Sequence, residues 1–404
     1  MWELSLLVPL GAIGVLRWLS WLIRRTPAVL YEPVENDHRE RLSIVVPVYQ
    51  EDPQQFRYAL TSWVNSGATE VICVIDVTDR RSIEIAHEFG VTVIETDVPG
   101  KRDALRKGWE HATTPLVALV DSDTIWDFRV AKEVCKPFAD PSVGGVGTRQ
   151  NVDRPTTMWQ HLNDMYLDYR YFDEIAAQTV AGQAISCLSG RTAVYRRELL
   201  LEISDEFMEE TFLGVPCMSG DDKRLTTLVL ERGYRTVMQR SARVWSSFPD
   251  DAATFFKQRL RWARNTWRSD LRALTSGWLW RRCRFLAFAM LDKAISAFTI
   301  FLAPAFMIYA LVTARWILAA FLAIWWLVSR SAKMLPHLER KPHHALTMMP
   351  FFILMSFAMA CVKLAALFTI RKQRWMTRDV AVSARTGQVL RTAPANEPAS
   401  VEAA

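Results

Sequence analysis

The 404-residue sequence contains neither G-x-G-x-x-G nor G-x-x-x-x-G-K-S/T, so a dinucleotide-binding crossover and a P-loop both lose their main signatures. Its six cysteines, at 73, 135, 187, 217, 283 and 361, have no C-x-x-C and no zinc-ligand spacing. A disulfide framework and a zinc module are therefore set aside, and reduced thiols are the default. No A-x-A site follows the first apolar run, and the basic residues come after that run instead of before it, which favours an uncleaved anchor over a leader peptide.

What is present is unevenly spread. Half of the residues are apolar, concentrated at 1–23 and 285–370, whereas 38–283 has the charge of an ordinary soluble domain. The net charge of +6 lies largely beside the apolar stretches, at Arg24, Arg25, Arg281, Arg282, Arg284, Arg371, Lys372 and Arg374. That placement suits a bilayer with anionic lipid and not nucleic acid.

Residues 2–23 include LSLLVPLGAIGVLRWLSWLI, long enough to cross a hydrocarbon core, and Arg24 and Arg25 put the following domain in the cytoplasm by the positive-inside rule. Trp278 to Phe288 reads as an interfacial stretch, followed by apolar runs at Ile295–Val312, Trp316–Val328 and Phe351–Ile370. Three crossings leave the C-terminus outside, while Arg371, Lys372, Arg374 and Arg378 argue that it stays inside. Two solutions are open: one tilted or broken span over Ile295–Val328, or one re-entrant run. The expected plan is an anchor at 1–25, a cytoplasmic domain at 38–275, interfacial and transmembrane helices at 278–372 and a cytoplasmic tail at 373–404, in a multi-pass protein of the plasma membrane.

Within the soluble part, Leu42–Val48 (LSIVVPV) predicts a buried strand ending at a Tyr49-Gln50-Glu51-Asp52-Pro53 loop, then a helix from about Gln54 to Ser66. Strands follow at Val71–Ile75, ending at Asp76, and at Val91–Ile94. A Gly100-Lys101-Arg102 corner opens a helix to about His111, and Leu116–Val120 runs into Asp121-Ser122-Asp123. This alternation is a doubly wound α/β sheet, parallel over these strands. Its strand ends carry Glu51, Asp76, Asp121 and Asp123 beside Lys101 and Arg102. Acids next to a basic pair suit a metal-bridged diphosphate carrying a nucleoside: carboxylates for the cation and the nucleoside, Lys101 or Arg102 for phosphate. Alone, D-x-D is also a solvated turn with an Asp cap.

VPVYQED, the Asp after the second strand, GKRDAL, DSD, SGRTAVYRR at 189–197, SGDD at 219–222 and QRLRW at 258–262 resemble, in order and spacing, the processive family 2 glycosyltransferases. The likeness runs from Leu42 to Arg378 and is nearest to hyaluronan synthases, with chitin and cellulose synthases further off. It implies a GT-A type doubly wound mixed sheet inserted between transmembrane helices. It also implies an enzyme that extends a β-linked polysaccharide from UDP-sugars, coupled to export. The alternatives are a transferase adding one sugar to a lipid acceptor, against which Q-x-x-R-W weighs, and a silent subunit, which has no need of a base.

On this resemblance Tyr49, Glu51 and Asp76 touch the uridine, Lys101, Arg102 and Arg261 serve the donor diphosphate, and Asp121 and Asp123 hold Mg or Mn. Asp222 is the general base and Asp221 its catalytic neighbour; the bland alternative is a helix N-cap. Trp262 and Gln258 bind the acceptor, Trp262 as its floor, on a helix that is also basic enough to lie on lipid. Ser189 and Gly190 belong to the acceptor loop, where Arg191 replaces the proline of the S-G-P pattern. Trp375-Met376-Thr377-Arg378 resembles a W-G-T-R gate, with Trp375 and Arg378 as gating residues.

Overall fold

The computed structural model describes residues 2–372 and the short strands Val380–Val382 and Val389–Arg391, with side chains over 12–372. A long first helix, α1 (Trp2–Val29), leads into β1 (Leu42–Val48), α2 (Pro53–Val64), β2 (Glu70–Asp76), α3 (Arg80–Glu88), β3 (Thr92–Thr96), α4 (Lys101–His111) and β4 (Leu116–Val120). Next come β5 (Ile125–Trp126), α5 (Val130–Cys135), β6 (Val143–Val152), α6 (Met158–Tyr169), a π-helical turn at Arg170–Glu174, α7 (Ile175–Ala181) and β7 (Thr192–Arg196). Short α8 (Arg197–Glu202) and α9 (Ser204–Met208) and a hairpin of β8 (Thr211–Phe212) and β9 (Val215–Pro216) precede α10 (Asp221–Glu231), β10 (Arg235–Ser246) and α11 (Ala252–Leu274).

Eight strands form one sheet in the order β3-β2-β1-β4-β7-β6-β10-β5. The first four are parallel, as the alternation of apolar strands and helices predicts, whereas β7 is antiparallel to both β4 and β6, which makes the sheet mixed. All seven residues of β1 are buried. Val45 packs on one face with Trp109 and Tyr195, while Ile44 and Val46 pack on the other with Phe56 and Trp63, as strands covered on both sides require. Helix α4 lies close on β1 because Gly108 leaves room: a Cβ there would fall 2.1 Å from Val45 Cγ1. The reversed direction of β7 also fixes a loop. Its first residue, Thr192, pairs with Val120 at the end of β4, so the Ser189-Gly190-Arg191 loop is set beside Asp121–Asp123.

Beyond α11 come α12 (Gly277–Arg282), α13 (Arg284–Thr299), α14 (Leu302–Val312), α15 (Trp316–Leu338), α16 (His344–Thr347) and α17 (Met349–Phe368). Among the described residues, three stretches are long and apolar enough to cross a membrane: Arg284–Val312, Trp316–Leu338 and Met349–Phe368. The segment Trp278–Phe288 is split between α12 and α13 at Cys283. The run Ile295–Val328 is divided among α13, α14 and α15, with α14 and α15 joined through Ala314 at φ 54°.

The third stretch has a different geometry. At the start of α17, Phe351 meets Trp159 and Phe352 meets Tyr166, with centroids 5.2 and 5.4 Å apart. Toward its end, the Trp267 indole donates to the Lys363 carbonyl at 2.9 Å, Arg264 to Thr369 Oγ1 at 3.0 Å and Arg268 to the Ile370 carbonyl at 3.1 Å. Helix α17 therefore runs alongside α11, meeting α6 at its start and α11 toward its end, and it is also one of the stretches long and apolar enough to cross a membrane. With Cys361 changed to serine, single cysteines at Glu88 and at Lys372 are expected to react with a membrane-impermeant maleimide from the same side. Labelling from opposite sides would mean that α17 crosses.

Candidate active site

The carboxyl ends of β1, β2 and β4 bring the expected acids together. Tyr49 and Glu51 follow β1, and buried Asp76 ends β2, its Oδ1 accepting from the Thr78 amide at 3.0 Å and hydroxyl at 2.6 Å. Glu51 accepts from Ser122 Oγ at 2.6 Å, which ties the first loop to the D-S-D turn. Burial, with Asp121 and Glu51 nearby, pushes the Asp123 carboxyl up to about 7, against the opposing pull of Arg191. Lys101, at the first position of α4, spans two motifs: its ammonium is 2.6 Å from Asp121 Oδ1 and 2.9 Å from Asp221 Oδ2. That contact holds Asp221 below the usual carboxylate range even though its burial works the other way.

The S-G-D-D turn is fastened to α11. Gly220 adopts φ 90°, and a Cβ there would lie 3.2 Å from Asn265, so this left-handed close approach needs glycine. Ser219 Oγ donates to Asn265 Oδ1 at 2.8 Å, and Arg268 reaches both residues. One turn on, Lys223 of α10 pairs with Asp270 of α11, both buried. Asp222 Oδ1 accepts from the Lys223 amide at 2.8 Å, and its Oδ2 lies 3.3 Å from Cys187 Sγ. Burial first, and then Asp222, push the Cys187 thiol up to about 12, so it faces the carboxylate as a neutral S–H donor. Arg170, opening the π-helical turn, donates to the Cys187 carbonyl at 2.9 Å; such turns recur at functional sites.

Helix α11 carries the remaining expected residues. Arg261 is half-buried near Asp221, Asp222 and Asp121; desolvation lowers its pKa against the opposing pull of those acids. Trp262 packs against the core beneath the sheet, with the guanidiniums of Arg259 and Arg191 at 5.1 and 5.5 Å from its ring. The buried Gln258 Oε1 has no hydrogen-bond partner. Gly190 lies against the donor side, since a Cβ there would be 3.0 Å from Lys101 Nζ, and the Ser189 carbonyl closes the turn with the Thr192 amide at 3.2 Å.

From Trp262 and Arg170 a cavity of about 870 Å³ extends between α1, α6, α11, α13, α14, α15 and α17. Aromatic residues, among them Trp18, Trp21, Trp325 and Trp326, share its wall with eight cations, Arg17, Arg24, Arg170, Arg259, Lys293, Arg330, Lys333 and Lys363. Only three carboxylates, Glu174, Asp270 and Asp292, line the same space. Arg17 and Arg24 both bind Asp292, which joins α1 to α13.

Arg102 departs from expectation. The turn of α4 that aims Lys101 at the carboxylates points Arg102 into the core, where it binds Glu210 and the Phe207 carbonyl, so it is not available to a diphosphate. Trp375 and Arg378 lie outside the described residues. Sequence reasoning missed Asn265 and Arg268, although they continue the i, i+4, i+7 face that starts at Arg261. Arg170 and the Lys223–Asp270 pair gave no motif at all. A second acidic group, Asp164, Asp168 and His337, has ligand-type atoms within 4.8 Å of one another. Its carboxylates are already matched by Lys341, Arg340 and the His337 ring, so it reads as the clasp of α15 on α6.

A family model described as "Glycosyltransferase like family 2" matches residues 38–265. The chain is 27% identical over 396 residues to a hyaluronan synthase of Streptococcus pyogenes serotype M3 (strain ATCC BAA-595 / MGAS315), covering 91% of this chain and 90% of that protein. It is 32% identical over 260 residues to an N-acetylglucosaminyltransferase of Rhizobium meliloti (strain 1021), covering 61% of each. Among solved structures, the mannosyltransferase PcManGT from Pyrobaculum calidifontis in complex with GDP-Man and Mn2+ superposes with a TM-score of 0.58 at 20% identity, over 89% of this chain and 96% of that one. That likeness bears out the GT-A type α/β fold.

The Lys223–Asp270 contact offers a test of how α11 is held. Asp270→Ala leaves a buried ammonium without its carboxylate and is expected to cost about 3–5 kcal/mol, read as a lowered unfolding midpoint in detergent. The double change Lys223→Met with Asp270→Leu should recover most of that loss; no recovery would show that the pair is not what fastens the helix.

Proposed function

The chain belongs to glycosyltransferase family 2, and from that membership and the geometry of the site we propose a membrane-embedded, inverting enzyme that extends a β-linked polysaccharide from UDP-sugars. Its catalytic domain faces the cytoplasm at the plasma membrane, and the growing chain enters the cavity between the helices. The observation that carries this reading is the double position of Trp262, which packs against the core of the catalytic domain beside Arg191 and also lines the cavity. A sugar stacked on it would have one end at Asp222 and the other in the membrane-side space.

In this reading Tyr49, Glu51 and Asp76 receive the uridine, and Lys101 and Arg261 meet the diphosphate. Asp121 and Asp123, with Glu51 close, are a set of hard oxygen donors in which burial, and then the neighbouring carboxylates, raise Asp123, which fits Mg or Mn. Bound there, the cation would stabilise the charge that develops on departing UDP. Asp222 Oδ2 takes the proton from the acceptor hydroxyl, and attack opposite the departing UDP inverts the anomeric carbon, so an α-linked donor gives a β-linkage. Asp221, held by Lys101, positions the ammonium between base motif and diphosphate. Gln258 Oε1, buried without a partner, suits an acceptor hydroxyl, whose donation would remove the cost of that orphan oxygen.

The purified protein with a UDP-sugar and Mn is expected to release UDP. Asp222→Asn should lower the turnover by at least about a hundredfold while UDP still binds; full turnover would remove Asp222 as base. Trp262→Ala should bind UDP but produce no long polymer, and an unchanged product length would sink the acceptor floor. Because a proton on Asp123 competes with the cation, the Mn concentration for half activation should rise up to about tenfold per unit as pH falls below about 7, and level off above it. A flat profile between pH 5 and 8 would dissociate Asp123 from the cation.

A further inference from the structure

Arg191 stands where the resembling synthases have proline, and the pairing of Thr192 with Val120 brings it to the boundary between the D-S-D turn and the acceptor floor. Its Nε donates to Ser246 Oγ, and its guanidinium lies 4.1 Å over the Phe248 ring and 5.5 Å from the centre of Trp262. Some arginines of this domain sit on carboxylates, as Arg102 and Arg272 do on Glu210, and others use their η nitrogens on carbonyl oxygens, as Arg170 and Arg196 do. Among the described residues, Arg191 has no carboxylate within ion-pair distance, and neither of its η nitrogens has an acceptor. A guanidinium stacked on a ring and anchored through Nε keeps the two parallel N–H groups of its outer edge for a planar anion.

We propose that Arg191 is a specificity-determining residue for the acceptor, binding the carboxylate of a uronate at the end of the growing chain through its η nitrogens. The inference rests on the polymerase reading of the site. The diphosphate is the other anion at hand, and the charge of Arg191 does reach Asp123, but its guanidinium is stacked on Phe248 and faces Trp262, whereas Lys101 is the cation in direct contact with Asp121 and Asp221. The cavity beyond agrees with an acidic chain: its cations outnumber its carboxylates, and a neutral polymer would leave that excess without counter-charge in an apolar surround.

The test uses the full-length protein in nanodiscs with Mn and a UDP-sugar that it turns over, taken from UDP-glucose, UDP-N-acetylglucosamine and UDP-glucuronate. Two β-linked oligosaccharide acceptors of equal length are compared, one ended by glucuronate and the other by glucose. The wild type is expected to show an acceptor KM about ten- to a hundredfold lower for the glucuronate-ended chain, the range of a bidentate charge-assisted contact. Arg191→Gln should bring the ratio of the two KM values to about one, and Arg191→Lys should leave an intermediate ratio. Because the ratio is taken within each variant, partial loss of folded protein does not alter it. Equal KM values in the wild type, or an unchanged ratio in Arg191→Gln, would overturn the assignment while leaving the polymerase reading in place. No UDP release from any donor by the wild type would overturn both.

Discussion

Lys101 lies between Asp121 and Asp221, within 2.9 Å of each, and the catalytic arrangement is organised around that ammonium. Without it, the D-S-D turn and the S-G-D-D turn would present carboxylates to each other across a partly buried pocket, and like charges in low dielectric repel strongly. With it, the end of β4 and the start of α10 are held together, which sets Asp222 beside Cys187 and opposite the donor-side acids. The position of Lys101 follows from α4, which Gly108 allows to settle directly on β1. The sheet is thus the rigid reference for a site made almost wholly of loop and helix-terminus residues.

Helix α11 transmits that arrangement to the membrane side. One stretch of it touches the site through Asn265, Arg268 and Asp270, and another face carries Trp262 and Arg259 to the cavity. Because a helix places residues three and four apart on one side, a single rigid element can position the base loop and the acceptor floor at once. Helix α17 running alongside it, and α15 clasped to α6 through His337 and Asp168, fix the cavity wall to the same element. Displacement of α15 or α17 would therefore be felt at Ser219 and Trp262 through α11.

Much of the site was legible because its chemistry is local. Asp121 and Asp123 end an apolar strand, Asp221 and Asp222 begin a helix, and Gln258, Arg261 and Trp262 sit within one turn of another, so short windows reveal them. Arg102 was misread for the same reason: adjacent to Lys101 in sequence, it points about 100° away on a helix, into the core toward Glu210. Asn265 and Arg268 were within reach of a periodicity argument, while Arg170, Cys187 and Asp270 were not, since their partners are distant in the chain and belong to no motif.

The sequence by itself determined the strand and helix alternation, the apolar segments and which acids, tryptophan and arginine would be gathered at one place, because each is written in a few neighbouring residues whose polarity and spacing are read directly. Only the tertiary structure decided that β7 runs antiparallel and delivers Arg191 to the site, that Lys101 joins two motifs, and that α17 returns along α11. Those outcomes depend on which distant surfaces bury each other, and an apolar helix of 20 residues has the same composition whether it crosses a bilayer or lies against a neighbour. The charge surplus of the cavity is of that kind too: eight cations from separate helices become one electrostatic surface only after the helices have packed.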